Sequence, residues 1–141
     1  MANQEAMRWW AEDLESGEYP QTKGCLRRTE AAPNGVPAGY CCLGVACETA
    51  MKHGVELRVE FHDDGTVSYD GSTQLLPEKV AEFLGVTEDE MRNPELAYDQ
   101  GRLRTRAAYA NDSAVDLWSL ERIARAIRET YLGEAPEKEG H

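Results

Sequence analysis

Apolar residues recur at helical spacing in several separated stretches, and with a period of two in one. Met7, Trp10, Ala11 and Leu14 share one face of a helix predicted over residues 4–16, with Gly17 in the C-terminal capping position. A second helix is predicted from Cys42, where Leu43, Ala46, Cys47, Ala50 and Met51 form one buried stripe before Gly54. Leu76, Val80, Phe83 and Leu84 mark a third, with Pro77 in its first turn and Gly85 as its stop. Thr87 and Glu90 form a capping box for a short helix that Pro94 ends. Ser119 caps a last helix whose apolar face is Leu120, Ile123, Ala124, Ile127 and Tyr131, closed by Gly133.

The strand signal is clearest where Val55, Leu57, Val59 and Phe61 alternate with Glu56, Arg58, Glu60 and His62. Asp64-Gly65 then reads as a hairpin turn, and Val67 and Tyr69 as the return strand. A short strand is expected over residues 25–28, followed by a loop or wide hairpin turn punctuated by Pro33, Asn34, Gly35, Pro37 and Gly39. Residues 95–112 stay unassigned, because residues 102–106 alternate like a strand while Ala107, Ala108 and Ala110 favour a helix. The pattern predicts a single α+β domain over residues 1–133, with a small antiparallel sheet of two to four strands packed on three or four helices. Residues 134–141 carry no apolar anchor and read as a flexible acidic tail.

Composition narrows the function classes. Of 141 residues, 26 are acidic and 15 basic, giving a formal charge of -11. That charge disfavours direct nucleic-acid binding and acidic membrane surfaces. No apolar run approaches a membrane span, and no signal-peptide pattern is present, so a cytoplasmic protein is expected. Cys25, Cys41, Cys42 and Cys47 then read as free thiols.

Several short motifs occur together. They are Trp10, Leu14, Ser16-Gly17, Tyr19 and Gln21; Leu26; the Tyr40-Cys41-Cys42-Leu43-Gly44-Val45 run with Cys47; Leu84-Gly85; Asn111-Asp112; and Ile123-Ala124 with Ile127. In this combination the chain resembles a family of small bacteriophage proteins. The resemblance carries no assigned activity; it implies a phage origin and work inside the bacterial host.

Two function classes follow. The first is a non-catalytic accessory protein that binds a bacterial host protein or small molecule during infection, inhibiting a host enzyme or defence system. Trp9, Tyr40, Arg102, Arg104, Asn111 and Asp112 are its candidate contact residues, the arginines because a guanidinium can hold phosphate bidentately. The alternative is a thiol-dependent hydrolase or transferase. A cysteine at a helix N-terminus is favoured as thiolate, and Gln21, Cys41 or Cys42, and His62 follow the chain order of papain-like enzymes. A small-ligand pocket between the Cys-rich helix and the Asn111-Asp112 turn would serve either class. No metal site is expected, since adjacent Cys41 and Cys42 cannot easily direct both sulfurs at one ion. No cofactor is expected either: glycine-rich phosphate loops and zinc-helix motifs are missing from the sequence.

Overall fold

A computed structural model describes residues 3–86, 94–98, 103–112 and 118–134. Among them the chain runs α1 (Gln4–Glu15), β1 (Arg27–Arg28), β2 (Gly39–Tyr40), α2 (Cys42–Lys52), β3 (Val59–Phe61), β4 (Val67–Tyr69), α3 (Glu78–Leu84), β5 (Glu95–Tyr98), β6 (Leu103–Arg106), α4 (Ala107–Asp112) and α5 (Leu120–Leu132). This is the α+β class that the pattern predicts. The strands are distributed as three antiparallel pairs, β1 with β2, β3 with β4 and β5 with β6. One bridge between Arg28 and Thr66 links the first pair to the second.

The helices start and stop where the sequence punctuates them. The Asn3 side chain accepts the Ala6 amide at the head of α1, and the Ser119 hydroxyl accepts the Arg122 amide at the head of α5. Gly85 and Gly133 close α3 and α5 in the left-handed conformation. α1 and α5 pack on each other most extensively, and α5 also lies against β5. Outside the apolar contact, Arg128 of α5 clamps the Glu15 carboxylate with two N–H groups at 2.9 and 2.8 Å.

α2 departs from the one-sided helix expected. Every residue from Cys42 to Cys47 is buried, and Thr49 and Ala50 are too. α1 and α3 pack on it, α4 packs on it as well, and the Leu26 backbone crosses its first turn. A helix covered on all sides is a central element, which is why its stripe is wider than the i, i+3, i+4 pattern marks.

The hairpin also differs in detail. Only Val59–Phe61 pairs, opposite Tyr69, Ser68 and Val67. Pairing stops because Asp70 turns off in the left-handed region, at φ 53, and its side chain takes the Arg58 amide at 2.6 Å in place of a strand partner. Phe61, predicted to face inward, is 63% exposed. It shares the core-facing side with Val67 and Tyr69, but stands at the hairpin tip, past the edge of the core.

The unassigned segment contains both structures that its text suggests. Residues 103–106 pair with residues 95–98, and the alanines that follow form α4. The capping box at Thr87 and Glu90 lies outside the described residues. So does the tail after Glu134, which itself pairs with Arg8 and Arg128 at 3.0 and 3.4 Å. Among the described residues no helix is long and apolar enough to cross a membrane.

Candidate functional site

The motif residues of the sequence converge on the N-terminus of α2, and there they bond to one another. Asn111 is fully buried at the end of α4. Its Oδ1 accepts from Gln21 Nε2 at 3.0 Å and from the Cys42 amide at 3.1 Å. Its Nδ2 donates to the Thr22 carbonyl at 2.9 Å and to Asp112 Oδ1 at 2.8 Å. Gln21 also donates to the Trp118 carbonyl, and Trp10 Nε1 donates to the Cys42 carbonyl. The Cys42 amide is one of the donors that a helix leaves unpaired at its start, so Asn111 caps α2 from a distant part of the chain. The pocket expected between α2 and the Asn111-Asp112 turn is thus filled by this lock.

The same burial changes the reading of the cysteines. Cys41 is 3% exposed, and its sulfur accepts the Gly44 amide as the cap of α2. Loss of solvent pushes its thiol up to about 12, outweighing the helix amides that pull the other way, and the Asp112 carboxylate adds to the rise. The expected thiolate at this helix start is overturned by desolvation. Cys42 and Cys47 are raised by the same cause, and the Cys42 thiol donates to the Ala107 carbonyl. Gln21 is committed to Asn111, and His62 shares a 3.0 Å hydrogen bond with the Ser68 hydroxyl on the hairpin. His62 opens onto a surface cleft together with Cys25, and neither Cys41 nor Cys42 lines that cleft. Of the residues proposed for thiol catalysis, Gln21 and Cys42 meet at Asn111, and His62 is not part of that cluster.

Three buried thiols that must stay protonated give the fold a pH dependence. In the unfolded chain each ionises near 9.0, whereas folded Cys41 holds its proton to about 12. A raised folded pKa gives stability that is complete below the unfolded value and is lost as pH rises through the folded one. The Tyr69 phenol, raised by burial and by the Glu48 carboxylate that accepts its hydroxyl at 2.8 Å, acts in the same direction. Urea midpoints should hold steady up to about pH 9 and fall from there towards 12, and Cys41→Ala should flatten that fall. A midpoint as high at pH 10.5 as at neutrality would contradict this account.

Among the described residues, two open surfaces lie on opposite sides of β1. Successive strand residues point to opposite faces, so Arg27 and Arg28 part company, as do Phe61 and His62 on the hairpin. On one face the Arg27 guanidinium lies 4.9 Å from the centre of the Tyr40 ring and 5.4 Å from that of Phe61. Tyr19 meets Tyr40 edge to face at 5.1 Å. On the other face a cleft of about 600 Å³ opens between the 23–28 segment and the hairpin, with Lys23, Cys25, Arg28, His62 and Asp64 on its walls.

Of the other contact residues expected, Trp9 is half-buried and stacked flat on His53 at 3.7 Å, its ring face already covered. Asp112 is exposed but accepts the Gly24 amide. Arg102 and the side chain of Arg104 lie outside the described residues. Among the described residues no three His, Cys, Asp or Glu side chains are grouped to hold a metal ion. Sequence reasoning missed Arg27, Lys23 and the exposure of Phe61. The signal available was the Arg27-Arg28 pair on a short strand, where alternation alone sends two cations to two faces.

Residues 2–131 match a protein family described as a domain of unknown function, DUF8296. No curated protein and no solved structure matches the chain.

Proposed function

We propose that this chain, which belongs to the DUF8296 family, is a non-catalytic accessory protein of phage origin that binds a host protein in the cytoplasm of the infected bacterium and inhibits a host enzyme or defence system. The observation that carries the binding reading is the face built from Phe61, Arg27 and Tyr40. Phe61 is the large apolar side chain left exposed among the described residues, and it sits beside a guanidinium held over two rings. Aromatic residues and arginine are the types that dominate binding energy at protein interfaces. The surplus of acid, -11 in all, favours a partner with a basic surface and speeds encounter with it. The phage and host elements of the proposal rest on the resemblance of the motif set. The non-catalytic element is supported by the burial of Cys41 and Cys42 and by their distribution away from His62.

The test compares tagged wild-type protein with Phe61→Asp in capture from bacterial lysate, followed by an affinity measurement on the purified partner. Loss of a central aromatic anchor should weaken binding by about 30-fold or more. Equal affinity of the wild type and the Phe61 variant would remove this face from the proposal. Turnover of a thioester or peptide substrate that disappears in Cys41→Ser or Cys42→Ser would favour a thiol enzyme instead.

A further inference from the structure

We infer that the cleft beside Cys25 binds a small hydroxylated anion, a sugar phosphate or sugar acid. The cleft lies on the face of β1 opposite Phe61, so the inference stands apart from any partner docking there.

Arg28 provides the first reason. Its Nε donates to the Glu30 carbonyl at 3.2 Å and its Nη2 to the Asp64 carbonyl at 3.0 Å. These are neutral acceptors. They fix the plane of the guanidinium and leave its charge without a carboxylate at ion-pair distance among the described residues. A planar fork held in place loses little freedom on taking an oxyanion, which suits it to phosphate and carboxylate. Lys23 likewise has no ion-pair partner among the described residues and faces the same space.

The acidic groups set the limit. Asp64 is the carboxylate on the cleft wall, and one of its oxygens is already held by the Thr66 amide and hydroxyl, at 2.9 and 2.6 Å. The Glu30 side chain lies against Gly65, and Asp112 against the Gly24 amide, both at the margin. On the wall itself two cations, Lys23 and Arg28, stand against the one carboxylate of Asp64, a balance that matches one anionic group and disfavours a polyanion. Asn34, Thr73 and Gln74 also line the wall, and their amides and hydroxyl match the hydroxyls of a polyol. Among the described residues no Phe, Tyr or Trp lines the cleft, and the His62 imidazole on its wall is tied to the Ser68 hydroxyl, so a nucleobase has no broad ring to stack on. A volume of about 600 Å³ admits a monosaccharide phosphate, and the open shape implies rapid exchange.

Cys25 serves as a built-in reporter. It lines the cleft at 7% exposure, whereas Cys41, Cys42 and Cys47 sit deeper in the core. The experiment titrates the full-length protein with glucose 6-phosphate, glucose, inorganic phosphate and adenosine monophosphate. It reads the rate of native Cys25 alkylation by iodoacetamide and the amide shifts of Gly24, Cys25 and Thr66.

Glucose 6-phosphate should slow Cys25 alkylation about threefold or more, with a Kd on the order of 10⁻⁴ M for a ligand this small. Inorganic phosphate should bind more weakly, and glucose should have no effect. Arg28→Gln should weaken glucose 6-phosphate by about tenfold. Because Arg28 also ties two loop carbonyls, Lys23→Gln is the second variant, expected to weaken binding about threefold with the fold intact. The inference is overturned if none of the four probes perturbs the cleft at about 10 mM. It also fails if both variants bind glucose 6-phosphate like the wild type, or if adenosine monophosphate or inorganic phosphate binds as tightly as the sugar phosphate.

Discussion

Asn111→Ala should be among the most damaging single substitutions in this protein, costing roughly 3 kcal/mol or more of stability. All four hydrogen-bonding positions of the Asn111 amide are used, by Gln21, the Cys42 amide, the Thr22 carbonyl and Asp112. Alanine strands the Cys42 amide and the Thr22 carbonyl in a site without solvent, and each buried orphan costs about 1–3 kcal/mol. A loss on that scale is a large fraction of the roughly 5–15 kcal/mol that holds an ordinary domain together. The urea midpoint and the thermal melt should both drop, the latter by about 10 °C or more.

Asn111→Asp separates the two halves of the lock. It keeps the acceptor for Gln21 and Cys42 but points a second oxygen at the Thr22 carbonyl and the Asp112 carboxylate. That variant should be unstable at neutral pH and recover in part as pH falls, when the introduced carboxyl gains a proton that it can donate. Loss of less than about 1 kcal/mol in the alanine variant would show that Asn111 does not cap α2 as described.

The lock also shows what the sequence could and could not disclose. Helix limits were legible because they are set locally: Ser119, Gly85 and Gly133 act on their own turns. The α+β class was legible for the same reason. The role of Asn111 was not, since Cys42 lies 69 residues away along the chain and only the fold brings them together. Cys47 was rightly read as core, but Cys41 at the helix start was misjudged because two effects compete there. A helix N-terminus favours a thiolate, but the site is fully enclosed, and desolvation is the larger effect. Phe61 was misjudged because alternation gives the side of a strand and not how far the core extends beneath it. The cleft was illegible for a further reason. Lys23 and Arg28 come from one segment and His62 from the hairpin, and nothing in the sequence marks those two segments as neighbours.

Gly44→Ala should abolish or severely weaken folding, against the local expectation. In a helix interior alanine is ordinarily favoured over glycine by about 1 kcal/mol. Gly44 lies inside α2, in a right-handed turn, so no backbone preference calls for glycine there. The constraint is the crossing chain: a Cβ at this position would fall on the Leu26 carbonyl group. That carbonyl already accepts the Cys41 amide at 3.0 Å, so the segment leading into β1 is bonded to the helix start at the same point. Backbone meets backbone, and no side chain can swing aside to relieve the overlap.

Shifting α2 outward instead would stretch the Trp10 bond to the Cys42 carbonyl, now 2.9 Å, and pull the Cys42 amide from Asn111. The cost should therefore exceed the usual overpacking range, at roughly 3 kcal/mol or more, with low soluble yield or a urea midpoint well below that of the wild type. Gly17→Ala is the matched comparison. Gly17 sits at φ 79 with nothing within 4 Å of an added Cβ, so only backbone strain of about 1 kcal/mol is expected. If Gly44→Ala proves no worse than Gly17→Ala, the Leu26 backbone does not lie on the helix. The glycine of the Cys-Cys-Leu-Gly-Val run would then need another explanation than the approach of Leu26.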